Sequence, residues 1–203
     1  MYTIEDGRYL VSLARRAIET HLREGVEIPP PEDAPRKLRE KAGVFVTLEE
    51  YPGHELRGCI GYPEPVYPLV EATIKAAISA ATQDPRFPPL TLEELGHCTV
   101  EVTVLTKPEL LVVESPREYA GKIEVGKHGL IVERGLAKGL LLPQVPVDHA
   151  WSVEEFLSHT CLKAGLLPDC WLEEGTKIYT FEGRVFAETS PGGEVVQRSL
   201  RRC

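Results

Sequence analysis

The sequence contains no asparagine, one methionine and three glutamines, Gln83, Gln144 and Gln197. These are the side chains that deamidate or oxidise on heating. With 17 prolines available to stiffen loops, their scarcity predicts a heat-adapted source. Cysteines are few and odd in number, five in all (Cys59, Cys98, Cys161, Cys170 and Cys203), and none forms a C-x-x-C pair. This argues against a complete disulfide framework and a zinc ribbon and predicts reduced thiols in a cytoplasm, the disulfides of hyperthermophile interiors being the exception. Long apolar runs are missing as well. Leu110–Val113 and Leu140–Leu142 fall far short of the roughly 20 residues of a membrane-crossing helix, and Met1–Asp6 has neither the basic nor the apolar region of an export signal. Positive charge is the scarcer sign: 23 Lys+Arg against 31 Asp+Glu leave a net charge of −8. A broad nucleic-acid-binding face is therefore not expected, and the local stretch Arg36-Lys37-Leu38-Arg39-Glu40-Lys41 keeps an RNA-associated role as an alternative.

Several reaction motifs are also missing. There is no G-x-S-x-G elbow, no G-x-G-x-x-G and no H-E-x-x-H. Gly121–His128 has the G-x-x-x-x-G-K spacing of a phosphate-binding loop, but His128 stands where the magnesium-binding hydroxyl belongs. Gly129-Leu130-Ile131-Val132 then continues as a strand, so no helix N-terminus receives a phosphate. Cys161 lies on the apolar stripe of its helix and His159 lies off it, which separates the one pair that could suggest a metal cluster. No metal and no cofactor is expected.

What is present fills one sizeable core or two small ones, with 203 residues and 42% hydrophobic content. Thr3 reads as an N-cap, and Leu10, Leu13, Ala14, Ala17, Ile18 and Leu22 follow at helical spacing up to a stop at Gly25. Four prolines between Ile28 and Pro35 make a stiff connector. Val44–Leu48 and Glu55–Gly61 read as a hairpin turned at Tyr51–His54. A helix opens near Pro68, and Thr91-Leu92-Glu93-Glu94 is a capping box. Cys98–Thr106 alternates as a strand, Lys122–Leu142 reads as a meander of hairpins, and Ser152-Val153-Glu154-Glu155 caps another helix. Lys177–Phe181 and Val185–Thr189 are expected as two closing strands. An internal echo runs through this order. Gly43–Val46, Arg57-Gly58, a proline loop and a helix are matched by Gly129–Val132, Lys138-Gly139, Pro143 and Pro146 and a helix, so a duplicated strand-strand-helix unit is expected.

Chemistry is sought first in His54-Glu55-Leu56-Arg57-Gly58-Cys59-Ile60-Gly61. At the two-residue period of a strand, Glu55, Arg57 and Cys59 share one face, so an acid, a base and a thiol line one surface. Same-face neighbours lie roughly 6–7 Å apart, close enough for Arg57 to favour a thiolate at Cys59. Gly58 and Gly61 mark a bulge or a close approach of backbone or ligand. The blander alternative is a small buried Cys59 beside a glycine bulge. Asp84-Pro85-Arg86-Phe87-Pro88-Pro89 offers Asp84 and Arg86 on a proline-held loop, either as binding groups or as a solvated ion pair.

Leu56-Arg57-Gly58-Cys59-Ile60-Gly61 resembles the signature of the AMMECR family, named for the Alport syndrome, mental retardation, midface hypoplasia and elliptocytosis chromosomal region. Further similar blocks follow in order: Asp84–Pro89, Glu101–Leu105, Gly126–Gly129, Leu141–Val145, and Cys161–Leu166 with Trp171. The resemblance implies an α+β fold of duplicated strand-strand-helix units around a curved, barrel-like, mostly antiparallel sheet. The AMMECR-type domain would span residues 1–190, with two lobes and a cleft as an option, and residues 191–203 would form a tail. The resemblance carries no settled activity. It implies a pathway shared with a Memo-like protein and a radical S-adenosylmethionine protein. The resulting expectation is a cleft in which Cys59 and Arg57 bind or modify a small or conjugated substrate, with Glu55, Gly58, Gly61, Asp84, Arg86 and His128 binding it. The alternative is a non-catalytic protein-binding scaffold.

Overall fold

In the computed structural model, which describes residues 2–198, the cap at Thr3 starts helix α1 (Ile4–Glu24) through a complete capping box with Asp6, and Gly25 ends it in the left-handed conformation at φ 71°. The expected stripe is the buried one: Leu10, Leu13, Ala14, Ala17 and Ile18 all lie in the core, joined by Val11. Strand β1 (Val44–Glu50) pairs antiparallel with β2 (Leu56–Tyr62) on one side and β3 (Cys98–Leu105) on the other. Val44, Val46 and Leu48 alternate inward. Helix α2 (Leu69–Thr82) covers that inner face with small residues, Ala72, Ala76, Ala77, Ala80 and Ala81. Their size lets the helix lie close to the sheet. The short helix α3 (Leu92–Leu95) is held by the Thr91–Glu94 capping box.

The described residues divide into two compact units, 2–105 with 184–198, and 106–183. Each has its own core. In the first, α1 and α2 bury Leu10, Ile18 and Ile74 with Val46, Val100 and Val102 of the strands. In the second, β4 (Glu109–Leu110), the short helix α4 (Tyr119–Lys122), the hairpin β5 (His128–Arg134) and β6 (Ala137–Leu141), and the helices α5 (Gln144–Asp148) and α6 (Val153–Lys163) surround Leu130, Val132, Phe156, Leu157 and Ile178. The described strand pairs are antiparallel, so the α+β class holds.

The echo expected from sequence is present in each unit, as β1-β2-α2 and as β5-β6-α6. Its glycines explain it. A Cβ on Gly58 of β2 would strike the carbonyl oxygen of Ala80 in α2. A Cβ on Gly139 of β6 would lie 2.6 Å from the Thr160 carbonyl oxygen in α6. In both units the second strand carries glycine where the helix backbone rests on it.

Three expectations are corrected. Lys177–Phe181 and Val185–Thr189 are not two strands but parts of one, β7 (Lys177–Glu188). Its first half pairs with β4 and β5 and its second half with β8 (Val195–Arg198), so Glu182-Gly183-Arg184 stays extended because partners are available on either side of it. Part of the expected tail is thus strand, and residues 199–203 lie outside the described residues. Thirdly, Cys161 and Cys170 are not reduced thiols. They form a disulfide between the last turn of α6 and the turn that follows, with Cα atoms 6.1 Å apart, a spacing the linkage requires.

Candidate functional site

Strand β2 is an edge strand of the sheet. The N–H and C=O of Cys59 are both taken by one loop rather than by a neighbouring strand. The Asp84 carboxylate accepts the Cys59 N–H at 2.9 Å, and Arg86 Nη2 donates to the Cys59 carbonyl at 3.3 Å. This loop acts as a substitute strand at a single residue. Arg86 in turn donates through Nε and Nη2 to Asp84 at 3.0 and 2.7 Å, and the Arg86 backbone N–H adds a third bond to the same carboxylate. The Asp84 side chain is 2% exposed, while that of Arg86 is 53% exposed. The Arg86 guanidinium above all, then the N–H groups of Cys59 and Arg86, hold the Asp84 carboxyl well below the usual carboxylate range against the opposing effect of burial. On the outer face, Thr47 stands directly across from Cys59 and its hydroxyl donates to Sγ at 3.3 Å. Cys59 is half-buried.

Arg57 takes a different direction. The register between β1 and β2 shifts after Leu48, which pairs with Gly58, whereas Glu49 pairs with Leu56. Arg57 is therefore the additional residue of a bulge, and the alternation that would have aligned it with Glu55 and Cys59 is broken. Its guanidinium donates to Glu94 Oε1 at 3.2 Å and lies 5.9 Å from the centre of the Phe87 ring. Arg86 lies over the same ring at 5.5 Å, so Phe87 connects the two cations. Beside Arg57 opens a cleft of about 230 Å³ lined by Glu50, Tyr51, Arg57, Glu94, His97 and Cys98. Burial pushes the Cys98 thiol up, so it is the neutral S–H that faces Arg57.

Of the other expected residues, Glu55 is exposed at the hairpin tip, ahead of β2, and its carbonyl accepts the Glu50 N–H at 2.8 Å. Gly61 lies under Phe45, whose ring occupies the place of a Cβ. His128 opens β5 in the second unit, where its Nδ1 accepts the Glu124 N–H at 3.1 Å. Thr47, Phe87 and Glu94 are contributors that sequence reasoning did not select. Glu94 was visible as a capping residue, but only the fold shows that its second oxygen faces Arg57. Thr47 could not have been found by aligning the hairpin about Tyr51–His54, which pairs it with Gly58; only the bulge at Arg57 brings it opposite Cys59. Lys37 and Arg39 of the basic stretch bind Asp6 and the Ala34 carbonyl.

A sequence model of the AMMECR1 family matches residues 11–186. The chain belongs to that family. Among AMMECR1-family relatives, Protein PH0010 of Pyrococcus horikoshii is 57% identical over 205 residues, with 98% of this chain and 99% of that one covered. Protein MJ0810 of Methanocaldococcus jannaschii is 56% identical over 200 residues, with 98% of each covered. Both are proteins of thermophilic archaea. The crystal structure of uncharacterized protein PH0010 matches with a TM-score of 0.78 and 58% identity over 96% of this chain and 97% of that one. The family is thereby established, and these names assign no substrate or reaction. Among the described residues, no helix is long and apolar enough to cross a membrane.

Proposed function

We propose that the Leu56–Gly61 strand of this AMMECR1-family protein binds or modifies a small or conjugated substrate, with Cys59 as the engaging thiol and Arg57 supplying positive charge through the Phe87 side of the same strand. The observation that carries the reading is the convergence on Cys59. Its N–H, its C=O and its sulfur are each held by a separate polar group, Asp84, Arg86 and Thr47. A cysteine that only fills space requires none of these. A hydroxyl donating to sulfur favours the thiolate, which is the nucleophilic and ligating form. The Asp84–Arg86 pair positions Cys59, the carboxylate accepting its N–H and the guanidinium donating to its carbonyl.

The test is alkylation of the native protein as a function of pH, with the modified cysteine identified by peptide mapping. Cys59 is expected to alkylate in the folded state, and Thr47→Val to slow it several-fold at neutral pH. Cys98, 2% exposed, serves as the internal control and should react only on unfolding. If Cys59 behaves like Cys98, the thiol is structural and nucleophilic chemistry at this strand is ruled out. The protein-binding alternative draws on the exposed Tyr51 and Leu56 beside the same strand. It would be favoured if Cys59→Ser left intact the capture of a Memo-like or radical S-adenosylmethionine partner.

A further inference from the structure

The cleft beside Arg57 lies wholly within the first unit, and Cys59 is absent from its lining. Its innermost charged group is the Arg57 guanidinium, whose side chain is 7% exposed. Burying a guanidinium is costly unless its donors are matched, and a carboxylate matches two of them at once through a planar fork. Glu94 cannot be that fork. The capping box of α3 holds its Oε2 on the Thr91 N–H at 2.8 Å, leaving only Oε1 for Arg57 at 3.2 Å. Thr91, through its N–H and then its hydroxyl, lowers the Glu94 carboxyl below its ordinary value, with Arg57 a smaller contributor. Among the described residues, this single contact is the hydrogen bond the structure shows from the guanidinium. The bulge turns Arg57 toward the cleft, and the Tyr51 N–H, bonded to the His97 carbonyl at 2.8 Å, ties together the two walls.

The charges around that cation restrict the occupant. Arg57 contributes one positive charge, and Glu50 and Glu94 contribute two negative ones. A simple anion of high charge would meet repulsion at the rim, and a simple cation would leave Arg57 unmatched. A molecule bearing both a carboxylate and an ammonium satisfies the two ends. The volume of about 230 Å³ corresponds to roughly eight water-sized positions, which suits a compact molecule of similar heavy-atom count.

We propose that the Arg57 cleft is a binding site for a free amino acid, its carboxylate forked on Arg57 and its ammonium facing Glu50, between the rings of Tyr51 and His97. The inference shares Arg57 with the Cys59 reading but rests on the cleft, whose lining does not include Cys59, and alkylation of Cys59 reports on that reading separately. The experiment is calorimetric titration of the full chain with L-alanine, L-serine, L-aspartate and L-leucine, each beside its methyl ester, with acetate and inorganic phosphate as single-charge-type probes. Saturable binding of at least one amino acid is expected, weakened about tenfold or more in its ester, which loses the charged fork. Arg57→Gln should abolish it. Glu50→Gln, at an exposed position that does not endanger folding, should weaken the amino acid several-fold while not weakening acetate, which is relieved of repulsion at the rim, and it decides the question if Arg57→Gln fails to fold. The proposal is overturned if none of the four amino acids binds, if phosphate or acetate binds as well as they do, or if Glu50→Gln leaves their affinity unchanged.

Discussion

Asp84 shows how much one side chain can set at the scale of a residue. It is buried, ionised and bonded to Arg86 and to the Cys59 peptide. Replacing it with asparagine should cost about 2 kcal/mol at neutral pH, toward the lower end for a buried pair because Arg86 can turn to water. The pH dependence has a definite sign. A carboxyl whose folded value is depressed contributes stability that is complete above its unfolded value, near 4, and is lost progressively as pH falls below that. The difference between the parent and Asp84→Asn should therefore narrow below about pH 4, as measured by urea unfolding at a series of pH values. A difference that stays constant into strong acid would remove the ionised Asp84 from the account. Asp84 and Arg86 could be selected from sequence as polar groups on a proline-held loop. That they hold Cys59 by its backbone could not, since the bond spans 25 residues of chain and depends on where the loop returns.

Elements were legible wherever their signals are local. Thr3, Thr91 and Ser152 each cap a helix with the acid three residues on, and all three capping boxes form. The periodic stripe of α1 and the alternation of β3 needed no distant partner to be read. The bulge at Arg57 did, because it is a property of the pairing between two strands and changes the face on which a side chain emerges. β7 was divided incorrectly for the same reason. Gly183 looks like a turn until strands are found on both sides of it. The close strand-helix contacts at Gly58 and Gly139 lead to a prediction for the element pairs they join. In each, an added methyl meets helix backbone, which cannot rotate away as a side chain can. Gly58→Ala and Gly139→Ala should each destabilise by about 2 kcal/mol in denaturant titrations. Gly121→Ala, with nothing within 4 Å of its Cβ position, should be near neutral. Equal costs at all three positions would mean that contact with the helices is not what selects glycine at Gly58 and Gly139.

At the scale of the whole molecule, composition and one covalent link bear on stability. Labile amides are scarce, prolines stiffen the connectors, and the second core is closed by the Cys161–Cys170 disulfide. Removing that linkage with paired alanines should cost about 2–3 kcal/mol for so short a loop and lower the melting temperature in calorimetry. A reductant should reproduce the loss in the parent chain and change nothing in the variant. If the two proteins melt together, the linkage contributes no stability. Amphipathic periods, caps, turn residues, charge balance and the family motif were determined by the sequence alone, because each depends on neighbours within a few residues or on composition. Tertiary structure alone decided which thiols pair, that Arg57 and Cys59 part company at a bulge, and that Glu94 and Glu50 share a cleft with a buried guanidinium. Those outcomes follow from strand register and from the return of distant loops, and a one-residue shift in register redirects a side chain that local spacing would place elsewhere.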